Sequence, residues 1–330
     1  MRASRWGLVL TIAGIAACEN GGASRTIGIN ATGIVRGQIY FDANGSRTFD
    51  APDAGIAFAR IRLLAPGSND TLIRILAATD GSFRTAGVPV GVYTVVIDSA
   101  SAAGDSAVVL QPAPVLISVL PGDSVDFVSA VSYPLLTIAA ARASAPGTRV
   151  FIRAVALHSR TTFSDTTLHV VDATGAMRAT RVRTSVPAIV AADSVVLRGR
   201  IATRLGERVL DDVTAFFVSA TLIPTAPLVT TLTAATGGTL GSLDAALVQI
   251  VDAAIIDTST VAGNFQMTMD DGSGPVVVVL DRAADPDFDA PLPPGLYVVA
   301  NRFDLVGILV PTGTGAWRVK PRSALDLTPR

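Results

Sequence analysis

Apolar and polar residues alternate with a period of two in short runs along most of this chain. Residues 56–64 are the clearest case. Ala57, Ala59, Ile61 and Leu63 fall on one face, and Phe58, Arg60 and Arg62 on the other. Period two is the signature of an extended strand with one face buried and arginine turned away from the core. Further runs occupy residues 34–41, 71–79, 91–97, 108–110, 115–119 and 124–131, separated by turn formers such as Asp80-Gly81-Ser82. About seven short strands at regular spacing predict a two-sheet sandwich over residues 33–133.

Residues 135–222 predict a long first strand at 149–157, a hairpin at 167–182 around an Asp-x-x-Gly turn, a fourth strand at 193–202 and a fifth at 208–217. Residues 239–330 repeat this order at 246–255, 265–280, 295–303 and 316–327. A shared order of elements at a period of about 100 residues is an internal duplication. Five strands with a hairpin after a long first strand fit a small, partly open barrel such as the OB-fold. A jelly roll or another sandwich is the alternative. Residues 224–238, rich in Pro, Thr and Gly, read as the linker between copies. No long helical period occurs outside the N-terminal segment, so the body is expected to be all-β.

Composition agrees. A hydrophobic fraction of 49% with 16% charged residues supports packed cores and excludes a disordered chain. The net charge of -1 gives no global field toward nucleic acid or an anionic surface. The charge is uneven, however. Residues 135–222 hold 11 arginines against 6 acids, and residues 239–330 hold 11 acids against 6 basic residues. Two readings follow. Arg178, Arg181, Arg183, Arg198 and Arg200 line a groove that tracks a polyanion, or they are solvated strand-face charges and the two copies attract each other. Single-strand binding also needs stacking aromatics; here only Phe151 and Phe163 lie near the first two strands of that copy.

The N-terminal segment has Arg2 and Arg5, then an apolar run over residues 6–17, shorter than the ~20 residues of a membrane span. Residues 1–17 therefore read as an export signal peptide. Ile15 and the small residues Ala16-Ala17 directly before Cys18 resemble the lipobox of bacterial lipoproteins. That resemblance implies cleavage before Cys18, acylation of Cys18 (palmitate) and attachment to a membrane through lipid. Cys18 is the sole cysteine, so no internal disulfide is available. Residues 18–32 read as a tether. Glu19 carries no clear inner-membrane retention signal, which points to the outer membrane or cell surface.

Residues 40–45 (Tyr-Phe-Asp-Ala-Asn-Gly), 50–56, 79–83 and the Pro-x-Gly-x-Tyr-x-Val of residues 89–95 resemble the SD-repeat B-type and carboxypeptidase regulatory-like domains. The resemblance implies a prealbumin-like sandwich. Asp42, Asn44, Ser46, Asp50 and Asp53 fall at positions one, three, five, nine and twelve of a loop, the oxygen-ligand positions of a calcium loop. Arg47 stands where such loops carry glycine, and Asp53 is shorter than the usual glutamate; the other reading is a solvated acidic turn. The closing Gly-x-Trp-x-Val-x-Pro-Arg-Ser of residues 315–323 resembles the end of OB-like domains in secreted bacterial nuclease-associated and surface lipoproteins.

The chain has two histidines, His158 and His169, and neither sits in a catalytic or zinc signature. Asp270-Asp271 and the acidic group Asp281, Asp285, Asp287 and Asp289 are the carboxylates available for acid–base work on a glycan; loop acids are ordinarily solvated turns. The expected architecture is a prealbumin-like sandwich followed by two OB-like five-stranded barrels. The expected protein is exported, lipid-anchored and non-catalytic, a structural or binding module for a protein or glycan. An accessory protein for extracellular nucleic acid is the second reading and a hydrolase the third. No cofactor is required beyond the candidate calcium.

Overall fold

The computed structural model describes residues 31–104, 106–110, 114–183, 188–288, 294–313 and 315–330. The expected signal and Cys18 lie outside these residues, as does Asp289. The described chain is all-β with three short helices. Among the described residues, no helix is long and apolar enough to cross a membrane, which says nothing of spanning by strands.

The first nine strands form two facing sheets. One sheet has the order β2(Ala54–Gly55)-β1(Thr32–Phe41)-β9(Ser124–Ser132)-β7(Val108–Val109), with β5(Ser82–Pro89) also on β1. The other is β4(Thr71–Leu76)-β3(Arg60–Leu64)-β6(Gly91–Ile97)-β8(Val115–Val119). Their inward residues, among them Val35, Ile39, Ile61, Leu63, Tyr93 and Phe127, make one core. Strands β1 and β9 are parallel neighbours, paired from Ile34↔Ser124 to Phe41↔Val131. Gly37 permits this pairing, because a Cβ there would sit 1.6 Å from the Phe127 carbonyl oxygen. Helix α1(Ser99–Ala103) follows β6.

The next six strands are β10(Leu135–Leu136), β11(Arg149–Ala156), β12(Leu168–Asp172), β13(Gly175–Thr180), β14(Asp193–Arg204) and β15(Glu207–Ala220), with α2(Ile138–Ala143) before β11. The pairing runs β11-β12-β13-β15-β14 and returns from β14 to β11, so the sheet closes. Only β13–β15 is parallel within the ring. The last six are β16(Leu247–Val261), β17(Asn264–Asp270), β18(Val276–Leu280), β19(Arg302–Gly313), β20(Ala316–Lys320) and β21(Leu327–Pro329), preceded by α3(Thr231–Ala235). Their ring is β16-β17-β18-β20-β19, closed by β16–β19, again with one parallel pair, β18–β20. Both rings have the order first-second-third-fifth-fourth-first of an OB-like barrel.

The two barrels share finer features. Each fourth strand carries a glycine where it passes the fifth. A Cβ on Gly199 would meet Leu210 at 2.7 Å, and one on Gly307 would meet Val319 at 2.4 Å. Each barrel also ties its helix to the second hairpin through an aspartate. Asp172 accepts from the Ile138 amide at 2.7 Å, and Asp271 from the Thr231 amide at 3.1 Å. Thr137 and Thr230 cap those helices.

Several predicted strands differ: no predicted run covers β5 (Ser82–Pro89), and the fifth strand of the second barrel ends at Lys320 rather than at residue 327. The fourth strand of the second barrel is Arg302–Gly313, not residues 295–303. Asn301 donates to the carbonyls of Gly295 and Leu296, and Gly295 and Ala300 take left-handed backbone, so this stretch turns before the strand begins. The expected linker at residues 224–238 contains α3, and Leu228 bridges to Gln249.

Candidate functional site

The residues with the most distinctive chemistry converge on a seam between the two barrels. The β11–β12 loop carries Phe163, Ser164 and Asp165 against the second barrel. Leu157 and Phe163 pack with Leu247, Ile308 and Val310 in a small apolar cluster shared by both barrels. Lys320, at the end of β20, is buried there, with Nζ 2.8 Å from the buried Asp281, 3.5 Å from Asp165 and 4.4 Å from the Phe163 ring centroid. Ser164 donates to the same Asp281 oxygen from its amide at 3.2 Å and its hydroxyl at 2.9 Å. Burial pushes the Asp281 carboxyl up, but Lys320 and these donors outweigh it and hold it below the usual range. Arg322 is locked to Asp326 and donates to the Leu157 carbonyl at 3.3 Å.

Both histidines sit beside this lysine. His158 Nδ1 lies 2.7 Å from the Ser159 carbonyl, to which it can only donate. Its Nε2 is therefore an acceptor, for His169 Nδ1 at 2.8 Å and the His169 amide at 3.3 Å. His169 Nε2 is left buried and without a partner. Desolvation holds His158 neutral, lowered to about 4, and holds His169 well below its ordinary value. The pair fills space and is joined by these two hydrogen bonds.

A second polar cluster closes the other part of the seam. Arg178 Nε lies 3.5 Å from the buried Asp244, and Trp317 Nε1 donates to Asp244 at 3.1 Å. Arg142, from α2, donates to Glu207 at 3.1 Å and to the Gly241 carbonyl at 3.2 Å. Burial, then the Asp244 charge, raise Glu207. Trp317 lies against Gly237, where a Cβ would come within 2.4 Å of the indole.

The seam covers a specific surface. His169, Val171 and Arg178 are outward residues of β12 and β13; His169 and Arg178 are buried, and Val171 packs on the shared cluster. In OB-like barrels the face of the second and third strands, with the first loop, takes the ligand. The second barrel occupies that face and that loop of the first. On the second barrel the outward Gln266 and Thr268 are half-buried, and Val277 is exposed.

The other candidate residues are placed as follows. Asp42 is buried and accepts from the amides of Gly45, Ser46 and Arg47 at 2.6, 3.1 and 3.0 Å. Asp53 accepts from the amides of Ala43 and Asp50, and Asp50 takes Asn44 and Thr48. Ser46 bonds to Thr48. The loop thus closes on its own amides. Among the described residues, no group of three His, Cys, Asp or Glu side chains is gathered to hold a metal ion.

The five arginines do not form one groove. Arg178 is inside the seam, Arg181 pairs with Asp211, and Arg183 with Asp212 at 3.0 Å. Arg198 is half-buried at the sandwich junction, 5.9 Å from the ring centroids of both Phe41 and Phe216, and reaches the Ala43 carbonyl at 3.4 Å. Arg200 is exposed. Asp271, held down to about 2 as the Ser273 and Thr231 donors outweigh its burial, serves as the α3 lock. Asp270 accepts from Gly272 and Gly274 in the hairpin turn.

No described protein family and no curated protein matches the chain. Solved structures with partial likeness include the hypothetical protein ygiW from E. coli, 19% identical, covering 26% of this chain and 89% of that one at a TM-score of 0.21. The full-length major pilin SpaD from Corynebacterium diphtheriae is 9% identical, covering 53% of this chain and 39% of that one at 0.24. A murine DNA-binding protein bound to double-stranded DNA is 7% identical, covering 50% and 83% at 0.27. At these scores no argument rests on them, and the architecture stands on the strand pairings.

Proposed function

We propose that this chain is an exported, lipid-anchored, non-catalytic spacer that holds a fused pair of barrels away from a membrane for contact with a protein or glycan. One observation carries the reading. Because β1 and β9 are parallel, the chain enters the sandwich at Thr32 and leaves at Ser132, at opposite ends of strands about 30 Å long. The barrels therefore attach at the end remote from the N-terminal segment. Their junction to the sandwich is built of side chains: Tyr133 contacts Phe41 and Phe151, and Arg198 lies between Phe41 and Phe216. The membrane part of the reading comes from the lipobox-like sequence at Cys18.

The test is cell fractionation of the full chain carrying a C-terminal epitope, with and without Cys18→Ser. The reading expects the parent in the membrane fraction, labelled by radioactive palmitate, and its epitope removed by protease added to whole cells. Cys18→Ser should be unlabelled and soluble. A membrane-bound, unlabelled parent would overturn the anchor. An epitope that stays protected after outer-membrane permeabilisation would overturn the presentation.

A further inference from the structure

The sequence places Arg60 and Arg62 on the outward face of β3, and the spacer reading gives them no work. In the structure Arg62 stands directly opposite Arg74 of β4, and Arg60 opposite Leu76. Directly opposed residues on adjacent strands lie about 5 Å apart, and alternate residues along a strand about 7 Å apart. Three guanidinium groups thus share one small patch. Like charges directly opposite destabilise a sheet. Among the described residues, Arg60, Arg62 and Arg74 have no ion pair and no side-chain hydrogen bond. Asp98 also lines the cavity, and it caps α1 by accepting from the Ser101 amide at 3.2 Å.

These arginines line a cavity of about 670 Å³ across the ends of β4, β3 and β6, walled by Ser99 and Ala100 of α1. That volume is of the size that holds a small ligand. Leu76 lies on the rim, 59% exposed, and offers an apolar surface beside the charges. Arginine forks match carboxylates bidentately. An apolar surface beside several cations suits a flat sugar face that carries an acid. We propose that this groove binds an acidic oligosaccharide, whose carboxylates pair with Arg60, Arg62 and Arg74 while one ring lies against Leu76. The groove is on the sandwich and shares no residue with the barrel seam, so its failure and that of the spacer reading are separable.

The test is calorimetric titration of the mature Cys18→Ser chain with oligogalacturonate at low and high salt. A neutral galactose oligomer, a thymidylate oligonucleotide and phosphatidylglycerol vesicles are titrated in parallel. The proposal expects saturable binding of the acidic oligomer that weakens with salt, and none of the neutral one. Arg62→Ala should weaken it about 10-fold or more, the size of one lost charge-assisted hydrogen bond. Arg74→Thr should do the same while keeping or raising the melting temperature of the ligand-free protein, since it removes a like-charge pair. That readout separates loss of a site from loss of the fold. No binding, binding unchanged in both variants, or equal or tighter binding of the oligonucleotide or vesicles would overturn the proposal.

Discussion

The two barrels have one topology and different surroundings. Each closes by pairing its first strand with its fourth, bends its fourth strand at a glycine, Gly199 or Gly307, and ties a capped helix to its hairpin through Asp172 or Asp271. The first barrel then buries the outward face of β12 and β13 beneath the second, while the second leaves Val277 of the matching face exposed. The difference lies in a few side chains. His169 and Arg178 stand on the first barrel where the second has small or neutral residues, and the β11–β12 loop that carries Phe163 is replaced by the tight Ala262-Gly263 turn between β16 and β17. The two like barrels form an asymmetric pair because the second covers the outward face of β12 and β13 of the first. The charge imbalance, basic first copy and acidic second, is partly spent inside that contact in Arg178–Asp244.

The largest expected effect falls on the buried pair of the second barrel that faces the seam. Lys320→Ala leaves Asp281 buried without its cation, and losing one partner of a buried pair costs about 3–5 kcal/mol. Urea unfolding should show the loss, with the two barrels separating into distinct transitions. An unchanged midpoint would mean that the seam is not a determinant of stability.

Acid should act on the first barrel, which holds both histidines. Their folded values lie below 6.5, so the unfolded chain takes up protons first as pH falls. Stability is complete above pH 6.5 and declines toward pH 4, by about 3 kcal/mol from His158 alone. The groups facing the pair include Asp165, which favours the charged form, and Arg322, Lys320 and Arg178, which oppose it. Urea midpoints measured from pH 7 to 4.5 test this. His158→Gln should flatten the slope, and an unaltered slope would assign the acid sensitivity elsewhere.

Smaller effects sharpen the likeness between the barrels. Asp172→Ala and Asp271→Ala should each cost about 1–3 kcal/mol, the range for leaving buried amide donors unsatisfied. Hydrogen exchange should show the loosened helix, α2 in one variant and α3 in the other. Because Asp271 is held down to about 2, its lock is present above pH 3.8 and is lost as pH falls through about 2. Arg200→Ala, on the solvated face, should change stability by less than about 0.5 kcal/mol; a larger loss would mean that Arg200 has a role the structure does not assign.

Strand content and the repeat were readable because period two and turn residues are local signals. Trp317 is buried against Asp244 and Gly237. The helices α2 and α3 were not readable, since five or six residues cannot display a helical period; the threonine caps were the available signal. The turn before β19 was missed because Tyr297, Val298 and Val299 have strand character, while the side chain that bends the chain is Asn301. The seam was out of reach for a different reason. Phe163, Lys320 and Asp281 are brought together by the packing of two barrels, and no local spacing encodes that. Arg178 read as a groove residue on the same grounds, since its partner Asp244 is 66 positions away.

The two barrels pack as one body through the covered face of the first. The most direct measurement is the distance distribution between spin labels at Arg200 and Ser259, both exposed, in the Cys18→Ser chain. The account predicts a single narrow peak that broadens in Lys320→Ala. A broad distribution in the parent chain would contradict it.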